Sequence, residues 1–202
     1  MKIFKDRQSA GKLLAKRLWE FKGIRGVIVL GIPRGGVVVA KEVAEQLNLP
    51  LDIIVTRKIG APNQPELALG AVDSDGEVVW DQELLVQQKL EIKDETKEIK
   101  RREKLYRHGK EPLDIEGKVV LLIDDGIATG ATALAAVNYL KRHGVKKVIL
   151  TVPVASNETR DKLSDHVDEL VVLEAPQYFQ AVGQFYQEFL PVSDEEVIQL
   201  LS

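Results

Sequence analysis

The stretch VVLLIDDGIATGAT, from Val119 to Thr132, constrains the fold of this chain more than any other. Five apolar residues run directly into two aspartates, Asp124 and Asp125, and a loop rich in glycine and threonine follows them. This order predicts a buried strand that ends in two carboxylates, and then a loop at the N-terminus of a helix. The carboxylates can hold a cation or sugar hydroxyls, and the backbone amides of such a loop can hold an anion.

A similar arrangement stands earlier in the chain. After a helical pattern over residues 6–21, the apolar run GVIVL at 26–30 leads into the glycine-rich sequence GIPRGG at 31–36. A second helical pattern and the apolar run LDIIVT at 51–56 follow. Strand, tight loop, helix and strand form a βαβ unit, which predicts parallel pairing and a right-handed crossover.

The alternation continues to residue 174. A helix is predicted over Ala131 to His143, a buried strand over 146–154, a short helix over Asn157 to His166 and a last strand over Asp168 to Glu174. This order favours a three-layer α/β fold with a mainly parallel sheet flanked by helices. We expect residues 1–202 to form one domain, because no low-complexity linker divides them.

The segments between these elements are less regular. We expect an exposed, mobile loop over Arg57 to Glu66, where two prolines and a glycine interrupt the chain. The runs at 67–72 and 77–80 predict a hairpin of two short strands. Charged residues dominate 81–110, which predicts an inserted helical arm lying exposed over the body, and 175–202 form a small C-terminal hood.

Composition restricts the partners that the chain can have. The formal net charge of -3 provides no basic footprint and counts against nucleic acid as a partner. The chain has no cysteine, which excludes disulfides, thiolate metal sites and a cysteine nucleophile. No apolar run approaches the roughly 18 residues of a membrane span, and the N-terminus has no signal-peptide core. We therefore expect a cytoplasmic protein with no membrane partner.

The glycine clusters do not match the commonest nucleotide-binding motifs. Neither GxxxxGK[ST] nor GxGxxG occurs in the chain. Instead, VVLLIDDGIATGAT resembles the phosphoribosyl pyrophosphate signature of the type I phosphoribosyltransferases, and GIPRGG resembles the pyrophosphate loop of the same family. The sequences DIIVTRKIGAP, PELALGAV and APQYFQAVGQFYQEF are similar to a group of predicted phosphoribosyltransferases, so the resemblance spans nearly the whole chain.

The resemblance implies roles for two of these segments. Asp124 and Asp125 would be catalytic, holding the ribose hydroxyls of the donor and Mg²⁺, partly through those hydroxyls or water. Arg34 would grip the pyrophosphate bidentately, beside glycines that let backbone amides face it. The residues implied in donor binding through their loops are Gly35, Gly36, Ala128, Thr129, Gly130, Ala131 and Thr132.

Further positions follow from the same resemblance. Arg57 and Lys58 begin the predicted mobile loop, where the family often places cations that meet the leaving pyrophosphate, and Lys58 would be catalytic. The alternative is that both residues are merely solvated. Glu66 is a candidate for contact with the acceptor or its proton.

The acceptor is not named by these motifs. In the 6-oxopurine branch of the family an aspartate stands where this chain has Ala128, which disfavours a hypoxanthine or guanine enzyme. Aromatic residues of the hood could stack on a base, or could equally pack in the core. These candidates are Tyr178, Phe179, Phe185 and Tyr186.

The sequence thus predicts Mg²⁺-dependent transfer of 5-phosphoribosyl from phosphoribosyl pyrophosphate to a nucleobase or amine, with release of pyrophosphate. Two alternatives use the same residues: a non-catalytic regulatory module that senses the donor, and a sugar-phosphate phosphohydrolase that uses water. Dimers are usual among the proteins that the chain resembles, so we expect a homodimer.

Overall fold

The computed structural model describes residues 3–61, 64–80 and 92–202. Its helices are α1 (Arg7–Arg17), α2 (Gly35–Leu47), α3 (Ile92–Tyr106), α4 (Ala131–Arg142), α5 (Asn157–Ser164) and α6 (Asp194–Leu201), with short 3₁₀ turns at Trp19–Phe21 and Val182–Phe185. Its strands are β1 (Val27–Gly31), β2 (Leu51–Ile53), β3 (Arg57–Ala61), β4 (Gln64–Val72), β5 (Val78–Trp80), β6 (Val119–Ile123), β7 (Lys147–Val154) and β8 (Glu169–Glu174).

The main sheet has five strands in the order β2-β1-β6-β7-β8, and every neighbouring pair is parallel. Its centre is closely in register, because Gly31 of β1 lies opposite Ile123 of β6, which lies opposite Thr151 of β7. The loops that leave β1 and β6 therefore emerge side by side. Ligands of open α/β sheets bind at this carboxyl edge.

Side chains alternate across the sheet and bury both of its faces. Leu30 and Leu122 point into a core formed with α4 and α5. Val29 and Leu121 point into a second core formed with α1 and α2. Burying each such side chain contributes roughly 1.5–3 kcal/mol. The predicted three-layer fold is confirmed.

The first helix begins where its sequence predicts. The carboxylate of Asp6 accepts a hydrogen bond of 2.7 Å from the backbone amide of Ser9, which satisfies one of the free amides in the first turn. Helix α1 ends at Arg17, and a 3₁₀ turn continues the chain to Phe21. This cap fixes the position of the next residue, Arg7, at the start of the helix.

The prediction of an exposed loop over Arg57 to Glu66 is wrong, because the structure has strands there. Residues 57–61 form β3 and residues 64–66 begin β4, and the two strands pair antiparallel with Arg57 opposite Val72, while 62–63 lie outside the described residues. Ile59 is buried in a third core, and this packing outweighs the turn-forming residues nearby. The predicted hairpin is confirmed, since β4 and β5 pair antiparallel with Gly70 opposite Trp80.

The predicted helical arm lies only partly within the described residues, because 81–91 are outside them. Helix α3 forms within this segment, as the sequence predicts. It is not an exposed arm, however, since Ile99 and Tyr106 are fully buried against β3, α2 and α6. The charged residues of α3 line the opposite face, and because they dominate the sequence of this segment, its apolar stripe was not predicted.

The C-terminal segment 175–202 folds back over the N-terminus. The backbone amide of Phe4 donates to the carbonyl of Phe185, and the amide of Gln187 donates to the carbonyl of Phe4, each at 2.9 Å. These bonds hold the segment beside the carboxyl edge of the main sheet. Among the helices that the structure describes, none has the length and apolar character needed to cross a membrane.

Candidate active site

The two aspartates follow β6 directly, at the carboxyl edge of the main sheet. One carboxylate oxygen of Asp124 accepts a hydrogen bond of 2.8 Å from the backbone amide of Asp125. The carboxylate of Asp125 accepts one of 2.7 Å from the guanidinium of Arg7, and both of these side chains are mostly buried. The pair thus forms a desolvated acidic centre in which only one carboxylate has an arginine partner among the described residues.

Burial governs the ionisation of both groups. Desolvation, together with the charge of Asp125, raises the pKa of Asp124 well above its ordinary value. Burial also raises the pKa of Asp125, while the charge of Arg7 acts in the opposite direction. Two desolvated carboxylates in contact favour either a shared proton or a bound cation.

The glycine-rich loop after β1 packs directly against this centre. A side-chain carbon at Gly36 would lie 2.9 Å from the Cα of Asp124, and one at Gly35 would collide with the Asp125 carboxylate. Helix α2 starts at Gly35, so its free backbone amides begin beside the aspartates. The peptide bond between Pro33 and Arg34 is cis. The structure therefore brings together the two loops that the sequence singled out.

Two threonine hydroxyls hold the loop at the start of α4 by hydrogen bonds to its backbone carbonyls. The hydroxyl of Thr159 donates to the carbonyl of Ala128 at 2.5 Å, and the hydroxyl of Thr56 donates to the carbonyl of Thr132 at 3.2 Å. Ala128 and Thr129 are exposed, whereas Gly130 is buried with a φ of 86°. A side-chain carbon at Gly130 would lie 2.9 Å from Thr159, so both its space and its backbone conformation require glycine.

Arg34 lies at the mouth of the site, with its side chain 44% exposed. Its guanidinium is 3.4 Å from the carboxylate of Asp194, the first residue of α6. This contact connects the loop after β1 to the C-terminal helix. The side chain can still turn toward an anion at the Gly35 amides, because an exposed ion pair of this length is weak.

The other predicted cations lie on β3. The guanidinium of Arg57 donates to the carboxylate of Glu95 on α3 at 2.6 Å, so it is directed toward that helix. Lys58 is exposed. Glu66 belongs to β4, but its side chain is outside the described part of the structure, and its predicted role stays a prediction.

The aromatic residues of the C-terminal segment separate into two groups. Phe185 and Tyr186 are only 3% and 1% exposed, which excludes them as a stacking surface for a base. Tyr178 is 82% exposed, and the partly buried Phe179 packs on Phe185 with ring centroids 5.0 Å apart. Of the four candidates, Tyr178 and Phe179 keep accessible surface.

Tyr186 has a different role. Its hydroxyl donates to the backbone carbonyl of Asp125 at 2.6 Å, which ties the C-terminal segment to the acidic centre. Sequence reasoning missed this contact and also missed Arg7, Thr159 and Asp194. The signals were weak, because Arg7 and Asp125 are 118 positions apart.

The donor set suits magnesium only as a partial site. Among the described residues, no group of three or more His, Asp or Glu side chains lies close enough to enclose a metal ion. Mg²⁺ commonly binds through one or two carboxylates and completes its shell with waters and substrate phosphates. The carboxylates of Asp124 and Asp125 fit that pattern.

Comparison with known proteins decides the family. Residues 4–188 match the phosphoribosyl transferase domain family. The chain belongs to this family. Over its full length it is 42% identical to "Putative phosphoribosyl transferase Rv0571c" of Mycobacterium tuberculosis, of which it covers 47%. The chain thus spans about half the length of the curated relatives it matches.

Two solved structures share the fold of this chain. The crystal structure of TT1426 from Thermus thermophilus superposes with a TM-score of 0.83 at 42% identity, covering 100% of this chain and 98% of that one. The purine phosphoribosyltransferase from Pyrococcus horikoshii gives a TM-score of 0.51 at 18% identity, with 93% and 91% covered. The second likeness concerns the fold alone, which is that of the type I phosphoribosyltransferases.

Proposed function

We propose that the chain transfers 5-phosphoribosyl from phosphoribosyl pyrophosphate to a nitrogenous acceptor, a nucleobase or an amine, with Mg²⁺ as cofactor. The observation that carries this proposal is the position of Asp124 and Asp125 between two glycine-containing loops, each at the N-terminus of a helix. A ribose with phosphate groups at both ends requires this order of groups, with acceptors for hydroxyls in the middle and donors for anions on either side.

The loop over 128–132 fits the 5′-phosphate. Thr159 and Thr56 occupy the carbonyls of Ala128 and Thr132, so those oxygens are engaged behind the loop rather than facing an anion. The free amides at the start of α4 and the exposed hydroxyl of Thr129 remain for the phosphate. The positive end of the helix dipole adds to this attraction.

The loop over 34–36 fits the pyrophosphate. The first amides of α2 begin at Gly35, in contact with the acidic centre, so an anion there would lie beside the ribose hydroxyls. Arg34 can reach the same anion with two parallel hydrogen bonds. The two helix N-termini therefore hold the two ends of the donor.

In the reaction the bond from C1 to the pyrophosphate oxygen breaks and a bond from C1 to the acceptor nitrogen forms. Positive charge builds on the ribose ring and negative charge on the leaving pyrophosphate, while the acceptor nitrogen loses its proton to solvent. Arg34 and Lys58 stabilise the leaving group, and the aspartates orient the ribose hydroxyls. Mg²⁺ supplies further neutralisation of the pyrophosphate charge when it is bound.

The acceptor approaches from the open side of the site. Ala128 offers no carboxylate to handle a proton of a 6-oxopurine, and it is exposed at the loop tip. Tyr178 and Phe179 supply the remaining aromatic surface of the C-terminal segment. This combination favours an acceptor other than hypoxanthine or guanine.

The test is pyrophosphate release from the donor, with and without Mg²⁺, in the presence of separate purines, pyrimidines and amines. Release that requires one acceptor, and disappears with chelator and in Asp124→Asn combined with Asp125→Asn, supports the proposal. Asp161→Asn, an exposed acid on α5, is the control and should retain activity. Donor binding without turnover for any acceptor would indicate the regulatory alternative, and release with water alone would indicate a phosphohydrolase.

A further inference from the structure

Arg7 contacts the acidic centre once and the C-terminal segment twice. Its Nε donates to the carboxylate of Asp125 at 2.7 Å, and another of its guanidinium nitrogens donates to the carbonyl of Leu190 at 2.8 Å. The same guanidinium lies 3.8 Å from the ring centroid of Phe189. Its side chain is 11% exposed. Arg7 therefore joins the start of α1, the acid pair and the C-terminal segment.

Asp125 is fixed at both its side chain and its backbone. Arg7 holds the carboxylate, and the buried hydroxyl of Tyr186 holds the carbonyl at 2.6 Å. Tyr186 in turn packs between Phe4 and Phe189, with ring centroids 5.4 Å and 5.1 Å away. A carboxylate restrained in this way cannot turn to follow a ligand without breaking a buried ion pair.

Asp124 has different surroundings. Within the part of the chain that the structure describes, no lysine or arginine pairs with Asp124, and one of its oxygens accepts the Asp125 amide. Its charge is the one left for a ligand cation or for sugar hydroxyls. The ion pair at Asp125 also limits the repulsion that two free carboxylates would exert on a polyanionic donor.

We propose that Arg7 is a positioning residue which, with the C-terminal segment, fixes Asp125 as an anchor, so that Asp124 is the carboxylate that meets the donor ribose and its cation. This inference rests on the proposed function and refines it, because it divides the work of the acid pair. It predicts that Arg7 and Asp125 act as a unit, and that Arg7 is coupled less strongly to Asp124 than to Asp125.

The test measures donor affinity by calorimetry in the presence of Mg²⁺ for Arg7→Gln, Asp125→Asn, Asp124→Asn and the two double variants with Arg7→Gln. We expect Arg7→Gln to weaken donor binding about tenfold, and the double variant with Asp125→Asn to bind no more weakly than the worse single variant. Arg7→Gln and Asp124→Asn should show a smaller coupling free energy, because Arg7 has no direct hydrogen bond to Asp124 among the described contacts. Arg17→Gln, the same change at an exposed position of α1, should match the wild type.

Arg7→Lys keeps the test decisive if Arg7→Gln folds poorly. A lysine retains the charge but cannot reproduce both hydrogen bonds of the guanidinium in the same geometry, so an intermediate donor affinity is expected. If the role of Arg7 were purely structural, Arg7→Gln would lower the melting temperature but would show no coupling to Asp125→Asn in donor affinity.

Two results would overturn the inference. Donor affinity within twofold of the wild type in Arg7→Gln would show that the ion pair does not position the site. Full additivity of Arg7→Gln with Asp125→Asn would show that the two residues act independently. A wild-type protein that binds no donor would instead refute the proposed function itself, so the two failures are distinguishable.

Discussion

Arg34 and Asp194 are 160 positions apart in the chain, and their side chains lie 3.4 Å from one another at the mouth of the site. The carboxylate oxygen of Asp194 near Arg34 also accepts a hydrogen bond of 2.7 Å from the hydroxyl of Tyr106. Burial, followed by that hydrogen bond, raises the pKa of Tyr106 to about 12, so its phenol stays a donor at neutral pH. The first residue of α6 therefore competes with any anion for Arg34.

Replacing Asp194 with asparagine should strengthen pyrophosphate binding. The amide can still accept from Tyr106 but no longer attracts Arg34 by charge. Since exposed ion pairs contribute roughly 0–1 kcal/mol, the expected gain in affinity is at most about fivefold. Calorimetry with pyrophosphate and Mg²⁺ measures it, and Glu195→Gln in the same turn of α6 is the control. Weaker binding in Asp194→Asn would show that Asp194 orients Arg34 for the ligand instead.

The substitution Gly36→Ala should impair both folding and donor binding. Its Cβ would lie 2.9 Å from the Cα of Asp124 and 2.9 Å from the carbonyl of Ile123, and backbone at both points resists movement. Overpacking of this kind costs roughly 1–3 kcal/mol, which urea unfolding can measure. Donor affinity should fall more than tenfold because the two loops are forced apart.

Gly23→Ala separates the two effects. Gly23 has a φ of 66°, and among the described residues no atom beyond its chain neighbours lies within 4 Å of where a Cβ would stand. Alanine there strains the backbone without touching the site. It should lower stability and leave donor affinity unchanged. Equal losses of affinity in both variants would indicate that general destabilisation, rather than the contact with Asp124, explains the result.

The central part of the site could be predicted from sequence because its signals are local. In β6 and the loop after it, strand, acids, loop and helix occupy consecutive positions from Val119 to Thr132, whereas the register of β1 with β6 comes from the structure. The glycines at 35 and 36 likewise reveal a close approach of backbone, although not the atoms that approach. Consecutive residues restrict one another directly, so their pattern is informative.

Contacts between distant segments left no comparable pattern. Arg7 reads as one basic residue at a helix start, and only the packing of α1 beside β6 shows that it meets Asp125. The sequence did not reveal β3, because the prolines and glycine in this segment are typical of a loop. The apolar residues that pack around Ile59 belong to other elements of the chain. From the sequence, Phe185 and Tyr186 could equally stack on a base or pack in the core. Their burial depends on the N-terminal segment around Phe4, which is distant in the chain.

Glu103 gives the protein a predictable pH dependence. Burial raises the pKa of this α3 carboxyl, opposed by Arg107, while Asp52 adds to the rise. The folded state therefore binds more protons than the unfolded state between the ordinary pKa and the raised one, and stability falls as pH rises through that window. Glu103→Gln should raise the melting temperature more at pH 8 than at pH 4.

Thermal unfolding from pH 4 to pH 8 measures this effect. The difference between Glu103→Gln and the wild type should grow with pH and then level off above the raised pKa. Arg107 keeps a partner in the variant, because Asp52 accepts from it at 2.9 Å. Glu111→Gln, at an exposed position, should show no such trend. A difference that is constant with pH would contradict the prediction.

Thr159→Val should loosen the loop proposed to hold the 5′-phosphate. Thr159 is 5% exposed, and its hydroxyl bridges Ser156 of the α5 cap and the carbonyl of Ala128, at 2.9 Å and 2.5 Å. Valine preserves the shape but removes both bonds. Because a protein hydrogen bond contributes roughly 0.5–1.5 kcal/mol net, the cost in stability should be about 1 kcal/mol.

The effect of Thr159→Val on phosphate binding should exceed its effect on the free energy of unfolding. Once released, the Ala128 carbonyl can turn toward the anion, so the affinity for ribose 5-phosphate should fall about tenfold. Thr151→Val is the matched control, because Thr151 is fully buried in β7 and its hydroxyl makes a long contact of 3.5 Å with the Ile149 carbonyl. Calorimetry with ribose 5-phosphate measures the affinity of both variants. Equal affinities would show that the loop holds its shape without Thr159, and that the helix N-terminus of α4 alone defines the anion site.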